Sequence, residues 1–169
     1  MRVKYVFTKK SFDRIVEDHL VNRCYLPYNK VVYKKSLSES VTLLTNFGII
    51  TGIMYTKDGK LKLMTNATAN EALKENINDA MVFGPFLIVN GKPLEIVGDP
   101  WGQAPRVAIG QTKDGIILFL VVDGENYING ASLQDMVDVL QKYGAYNAAN
   151  LDGGQSSSLV VNNKLYNNP

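Results

Sequence analysis

Apolar and polar positions follow two periods along this chain, and each change of period marks an element. After a first strand near the N-terminus, Ser11 can cap a helix whose apolar residues Phe12, Ile15, Val16 and Leu20 recur at helical spacing. This amphipathic helix is predicted to pack on a sheet. The stretch from Pro27 to Ser40 mixes Tyr, Asn and Lys with short apolar pairs and predicts no element. From Phe47 the pattern turns to strands. Residues 52–56, Lys57-Asp58-Gly59 and residues 60–65 read as a hairpin, because Asp-Gly supplies the positive φ that tight turns need. Thr68 and Glu71 form a capping-box pattern that opens a short helix through Ala72, Leu73 and Ile77. A strand over Ala80–Val89 follows, broken by a bend or bulge at Gly84-Pro85 and ended by an Asn90-Gly91 hairpin turn.

The second half alternates strands and one helix. Arg106–Thr112 is a strand, Asp114-Gly115 turns the chain, and Ile116–Asp123 is a near-continuous apolar run expected to be covered on both faces. Ser132 is an N-cap with Asp135 in the first turn; Leu133, Met136, Val137 and Leu140 give the apolar face, and Gly144 closes the helix. Strands over Tyr146–Leu151 and Ser158–Asn162 complete the set. These elements predict an α/β (mixed α+β) fold: a single domain over residues 1–169 with a twisted mixed sheet flanked by helices. No internal repeat or interdomain linker is visible.

Composition narrows the picture. A chain of 169 residues with 46% hydrophobic content can bury one substantial core. The net charge of +2 is spread along the chain without a basic block, so nothing points to nucleic acid. One cysteine, Cys24, excludes an internal disulfide, and one histidine, His19, leaves no zinc-type cluster. Both read as packing or surface residues. The N-terminal ten residues carry charges but no apolar signal region, and no run approaches the ~18 apolar residues of a membrane span. The Gly/Pro-rich loop over residues 97–105 holds the one tryptophan, Trp101. It is expected to plug the sheet, with a sugar-stacking platform or a lid as the alternative.

Candidate chemistry gathers around Asn150-Leu151-Asp152-Gly153-Gly154-Gln155-Ser156-Ser157-Ser158. A carboxylate, two glycines and a run of hydroxyls leave backbone N–H groups free to approach a ligand, or simply make a tight turn. If Asp114-Gly115 is a two-residue hairpin loop, Arg106 lies directly opposite Asp123, on the same face. The strand–helix–strand unit from Ile116 to Leu151 is long enough for a crossover between parallel strands, which puts Asp123 and Asp152 on one sheet edge. Arg106 then joins two carboxylates beside the glycine turn, or forms a structural pair with one of them. A guanidinium fork suits a phosphate, and two carboxylates can divide acid, base or nucleophile work at an anomeric carbon.

The ordered set Phe83-Gly84-Pro85, Pro105-Arg106-Val107-Ala108-Ile109-Gly110, Val122-Asp123-Gly124 and Asn150-Leu151-Asp152-Gly153-Gly154-Gln155-Ser156-Ser157 resembles the phosphodiester glycosidase family. The resemblance covers residues 47–166 and leaves residues 1–46 as a divergent part. It implies hydrolysis of a sugar 1-phosphodiester, such as an N-acetylglucosamine-1-phospho-linked glycan, to free sugar and a phosphomonoester. Arg106 would hold the phosphate, and Asp123 and Asp152 would act as acid, base or nucleophile. Gly153, Gly154, Ser156 and Ser157 would shape the pocket, with Asn150 and Gly84 also counted as substrate-binding. The family includes bacterial proteins once filed under exopolysaccharide biosynthesis, so the resemblance implies a secreted or cell-envelope setting.

Three departures stand against the family pattern: no upstream Asn-Gly-rich motif before Phe47, Gln155 in place of a glycine and Glu125 in place of a basic residue, and no closing strand beyond Pro169. They keep a second reading in view, a non-catalytic glycan- or phosphate-binding module of a cell-surface or phage assembly. No cofactor is implied. A divalent cation held by the two carboxylates and Asn150 is a third reading, that of a metal-dependent phosphodiesterase.

Overall fold

The protein is described by a computed structural model covering residues 5–7, 50–124 and 129–168. The helix read from Ser11, together with His19, Cys24 and Glu125, lies outside the described residues. Strand β1 (Tyr5–Phe7) opens the described chain. The remainder divides into two compact units between Val82 and Phe83.

The smaller unit is a three-stranded antiparallel sheet in the order β3-β2-β4, built from β2 (Ile50–Thr56), β3 (Leu61–Ala67) and β4 (Ile77–Met81). Between β3 and β4 runs the short helix α1 (Ala69–Lys74), capped by the expected Thr68–Glu71 box. Met54, Ala67, Ala72 and Ile77 form its buried cluster. The helix stops sooner than the sequence suggests: Glu75 caps it, Asn76 turns at φ 56°, and Ile77 pairs with Thr56 as the first residue of β4. Ile77 thus reaches the core from a strand, because sheet pairing with β2 overrides its helical spacing.

The larger unit holds β5 (Phe86–Val89), β6 (Lys92–Pro93), β7 (Arg106–Thr112), β8 (Ile117–Val122), helix α2 (Leu133–Lys142), β9 (Ala145–Asn150), β10 (Val160–Val161) and β11 (Lys164–Leu165). The main sheet has the order β1-β8-β7-β9-β5-β6, and β10 and β11 pair separately. Because β7 is antiparallel to both neighbours, β8 and β9 point the same way, with β7 between them. Their C-terminal ends and the N-terminal end of β7 therefore share one sheet edge, where α/β proteins commonly place ligands.

Helix α2 makes this crossover. Ser132 and Asp135 form a reciprocal capping box, and Gly144 ends the helix in the left-handed region at φ 75°. Leu133, Met136, Val137, Val139 and Leu140 pack with Leu118, Leu120, Val122, Ala108 and Ala148 of the sheet. Full burial of a side chain such as Met136 or Leu140 stabilises the fold by roughly 1.5–3 kcal/mol. Strand β8 is largely buried along its length, as its continuous apolar run requires. The α/β class holds, with low helix content. Among the described residues no helix is long and apolar enough to cross a membrane.

Candidate active site at the strand ends

The hairpin joining β7 to β8 decides which residues meet at this edge. Thr112 N–H donates to Ile116 O (2.9 Å) and Gly115 N–H to Thr112 O (3.1 Å), so Thr112 and Ile116 close a three-residue loop, with Gly115 at φ 97°. The ladder then runs unbroken from Gln111↔Ile117 to Arg106↔Val122. This corrects the two-residue loop read from the sequence, and with it the expected pairing of Arg106 with Asp123. A slip of one residue exchanges faces. Arg106 shares the face of Ala108 and Val122, which are packed with α2, while strand alternation turns Asp123 away from it.

Arg106 is only 6% exposed and is tied to the protein. Its Nη2 donates to Asp99 Oδ1 and to Gly102 O, both at 2.7 Å, and its Nε donates to Ala131 O at 3.0 Å. Asp99 in turn accepts from Leu133 N–H at 2.9 Å through Oδ2, so one ion pair joins the start of β7, the 99–102 turn and the start of α2. Asp99 is a site residue that periodicity and motif spacing do not reveal. Its signal was the turn signature Asp99-Pro100-Trp101-Gly102, closed by Gly102 N–H to Asp99 O at 3.0 Å. Trp101 sits on that turn and is 77% exposed, which overturns the expectation of a plug over the sheet. Holding Asp99 and Gly102 on one guanidinium leaves the intervening indole outside the core.

The Asp152 turn is laid against the same strand start. Leu151 N–H donates to Val107 O (2.8 Å) and Gly154 N–H to Pro105 O (2.9 Å), continuing the β9–β7 contact past the strand end. A Cβ on Gly153 would stand 2.8 Å from Pro105 O, so the approach requires glycine there; Gly154 turns at φ 59° to start a 3-10 turn over Gly154–Ser156. Asp152 is exposed, and among the described residues its carboxylate accepts one hydrogen bond, from Gly153 N–H at 2.9 Å. Asp123 accepts from Asn167 Nδ2 at 2.8 Å. Asn167 is the other residue that sequence reasoning missed; it lies in an asparagine-rich tail that carries no periodic signal.

The remaining predicted residues take different positions. Asn150 is 7% exposed and donates through Nδ2 to Gly84 O at 3.2 Å, which joins Gly84 to the β9 end. Ser156 is exposed, whereas Ser157 is fully buried. Asn150 Oδ1 and Ser157 Oγ are buried without a partner among the described residues. Such atoms gain most from an ordered water or a matching ligand group. No three of His, Cys, Asp and Glu gather as metal ligands among the described residues. Asp123, Asp152 and Arg106 thus stand along one sheet edge, but Arg106 does not face Asp123 and has its carboxylate partner in Asp99.

Comparison with known proteins agrees with this architecture. A family profile described as phosphodiester glycosidase matches residues 9–169. The SPbeta prophage-derived uncharacterized protein YomE of Bacillus subtilis is 32% identical over 118 residues, 66% of this chain and 18% of that protein. The N-acetylglucosamine-1-phosphodiester alpha-N-acetylglucosaminidase of Bos taurus is 39% identical over 64 residues, 38% of this chain and 12% of the relative. The chain thus spans less than a fifth of these relatives. The zebrafish catalytic domain of the same name, described as auto-inhibited by its pro-peptide, shares the fold with a TM-score of 0.59 at 22% identity, over 72% of this chain and 45% of that one. With its profile matched over nearly its whole length, this chain belongs to the phosphodiester glycosidase family.

Proposed function

We propose that the chain hydrolyses a sugar 1-phosphodiester to free sugar and a phosphomonoester, with Asp123 and Asp152 dividing the chemistry at the anomeric carbon. Family membership supports a hydrolase of phosphodiester glycosidase type. The observation that carries the finer reading is the shared edge: Asp152 is solvent-exposed on a glycine turn just past β9, and Asp123 directly follows β8, which runs in the same direction as β9. Water attacks C1 directly or after a carboxylate has done so, the C1–O bond breaks, and the phosphate oxygen leaves with the electron pair. One carboxyl group supplies or accepts the proton at each step. Gly153, Gly154, Ser156 and Ser157, with Asn150 and Gly84, form the wall against which the sugar phosphate sits.

Arg106 enters this reading as the residue that holds the 99–102 turn beside the site. Gln155, standing where the family pattern has a glycine, favours one second reading, a module that binds sugar phosphates without turnover. The test is release of free sugar from an N-acetylglucosamine 1-phosphodiester by wild type, Asp123→Asn and Asp152→Asn, each shown to be folded and each assayed with and without EDTA. Turnover by wild type that is lost in both variants is expected. Binding without turnover by wild type on several sugar phosphodiesters selects the binding module, and turnover abolished by EDTA selects the metal-dependent reading.

A further inference from the structure

Asn167 follows the β10–β11 hairpin, which folds back with Tyr166 N–H donating to Leu159 O at 2.8 Å. Its side chain is buried, and all three of its described hydrogen bonds reach elements around the site. Oδ1 accepts from Leu159 N–H at 2.6 Å, and Nδ2 donates to Asp123 Oδ1 at 2.8 Å and to Ser157 O. The partners fix which way the amide faces. A backbone N–H can only donate and a backbone carbonyl can only accept, so the oxygen must face Leu159 and the NH2 group must face Ser157 and the carboxylate. Both amide hydrogens are then committed, one to each acceptor. The chain segment tied in this way begins directly after the Asp152-Gly153-Gly154 turn and its 3-10 continuation.

We propose that Asn167 is a positioning residue of the hydrolytic site, holding the Asp123 carboxylate in one orientation and as the anion while fastening it to the Ser157–Leu159 segment. The proposal rests on the hydrolytic reading above. A donor aimed at a carboxylate favours its charged form, and the charged form is what takes a proton from water or attacks C1. The same amide links the end of β8 to the segment that continues the β9 turn, so it sets where Asp123 stands relative to Asp152. Misplacement of a reacting group by even an ångström slows chemistry far more than it weakens binding.

The decisive variant is Asn167→Asp, which keeps the shape and the acceptor for Leu159 N–H but puts a carboxylate where the donor was. Its kcat on the sugar phosphodiester is expected to fall by about tenfold or more, with KM changed much less. The acid limb of its kcat/KM profile should move upward by about one unit, because a like charge disfavours ionisation of Asp123. Carboxyl carbon NMR of Asp123 should show the same upward shift. Asn167→Ala, which removes the donor without adding charge, should lower kcat similarly with a smaller upward shift, and it serves if the first variant does not fold. A residue that only braced the hairpin would lower stability and leave both the acid limb and the Asp123 titration in place, which overturns the proposal. The NMR titration needs no turnover. Wild type that fails to release sugar while Asp123 still responds to Asn167→Asp defeats the hydrolytic reading and leaves the hold on Asp123 supported; normal turnover with an unmoved Asp123 defeats the hold alone.

Discussion

Arg106 and Asp152 stand at the ends of neighbouring strands on one edge of the sheet, yet their surroundings are opposite. Arg106 is buried under Asp99, Gly102 and Ala131, and each of its described hydrogen bonds goes to the protein. Asp152 is exposed and, among the described residues, receives one hydrogen bond, from the next residue's N–H. The first charge is enclosed by the fold; the second is offered to solvent. The difference teaches that charge at a candidate site has two uses here. A charge that is buried and bound by the protein builds the site, and an exposed charge is the one able to act on a ligand.

The largest effect should therefore separate activity from stability at Asp152. Asp152→Asn keeps the side-chain size and the acceptor for Gly153 N–H while removing the charge. Its turnover is expected to fall by about 10²–10⁴-fold, the range typical of losing a positioned acid or base. Its unfolding free energy should stay within about 0.5 kcal/mol of wild type, as for surface changes away from packed features. Sugar release and urea denaturation on the same preparation decide it. A large loss of stability in Asp152→Asn would remove the contrast with Arg106.

Next comes the enclosed charge. Arg106→Ala leaves Asp99 with an uncompensated carboxylate and cuts the link from β7 to α2, and loss of one partner of a buried pair costs about 3–5 kcal/mol. Arg106→Lys should recover little of this, because a lysine offers one ammonium in place of the Nε and Nη2 pair that reach Ala131, Asp99 and Gly102 together. Urea midpoints measure both. An Arg106→Lys protein as stable as wild type would show that charge alone, and not the planar fork, holds the 99–102 turn.

The register of the site was the part the sequence concealed. Thr-Lys-Asp-Gly occurs twice, at 56–59 and 112–115, and both copies make the same loop. Thr56 N–H donates to Lys60 O and Thr112 N–H to Ile116 O, both at 2.9 Å, and each threonine Oγ1 accepts from the N–H four residues on. The threonine hydroxyl and the left-handed glycine together select a three-residue loop, so reading Asp-Gly alone misjudged the second copy by one residue. In the site sheet that single residue travels along an unbroken ladder to Arg106. In β2–β3 the register shifts again between Ile50 and Gly52, so its turn does not dictate the far end. What was legible was local: the α2 cap and its apolar face, the Asn90-Gly91 turn, the break at Gly84-Pro85, and the strand ends carrying Asp123 and Asp152. What was not legible depended on contacts distant in sequence, as with Asn167 on Asp123, or on a strand pairing that claimed Ile77 from a helix.

The smallest effect tests how the enclosed half is fastened at α2. Asp99 takes the Leu133 N–H, and the adjoining cap is closed by Ser132 and Asp135, whose carboxylate accepts from Ser132 Oγ at 2.7 Å and from Ser132 N–H at 2.8 Å. The Ser132 hydroxyl, and after it the Ser132 N–H, hold Asp135 below its ordinary carboxylate range. A carboxylate lowered on folding contributes stability that is fully present above its unfolded pKa and is lost as pH falls through its folded one. Asp135→Ala should therefore cost about 1 kcal/mol at neutral pH, as for the loss of a cap, and the gap from wild type should close progressively below the ordinary range of a carboxylate. Urea unfolding of the two proteins from neutral to strongly acid pH measures the gap directly. Because Arg106 and Asp99 reach Leu133 and Ala131 rather than Asp135, the variant should keep its sugar-release activity; lost activity would mean that the cap, and not the ion pair alone, fixes the wall of the site.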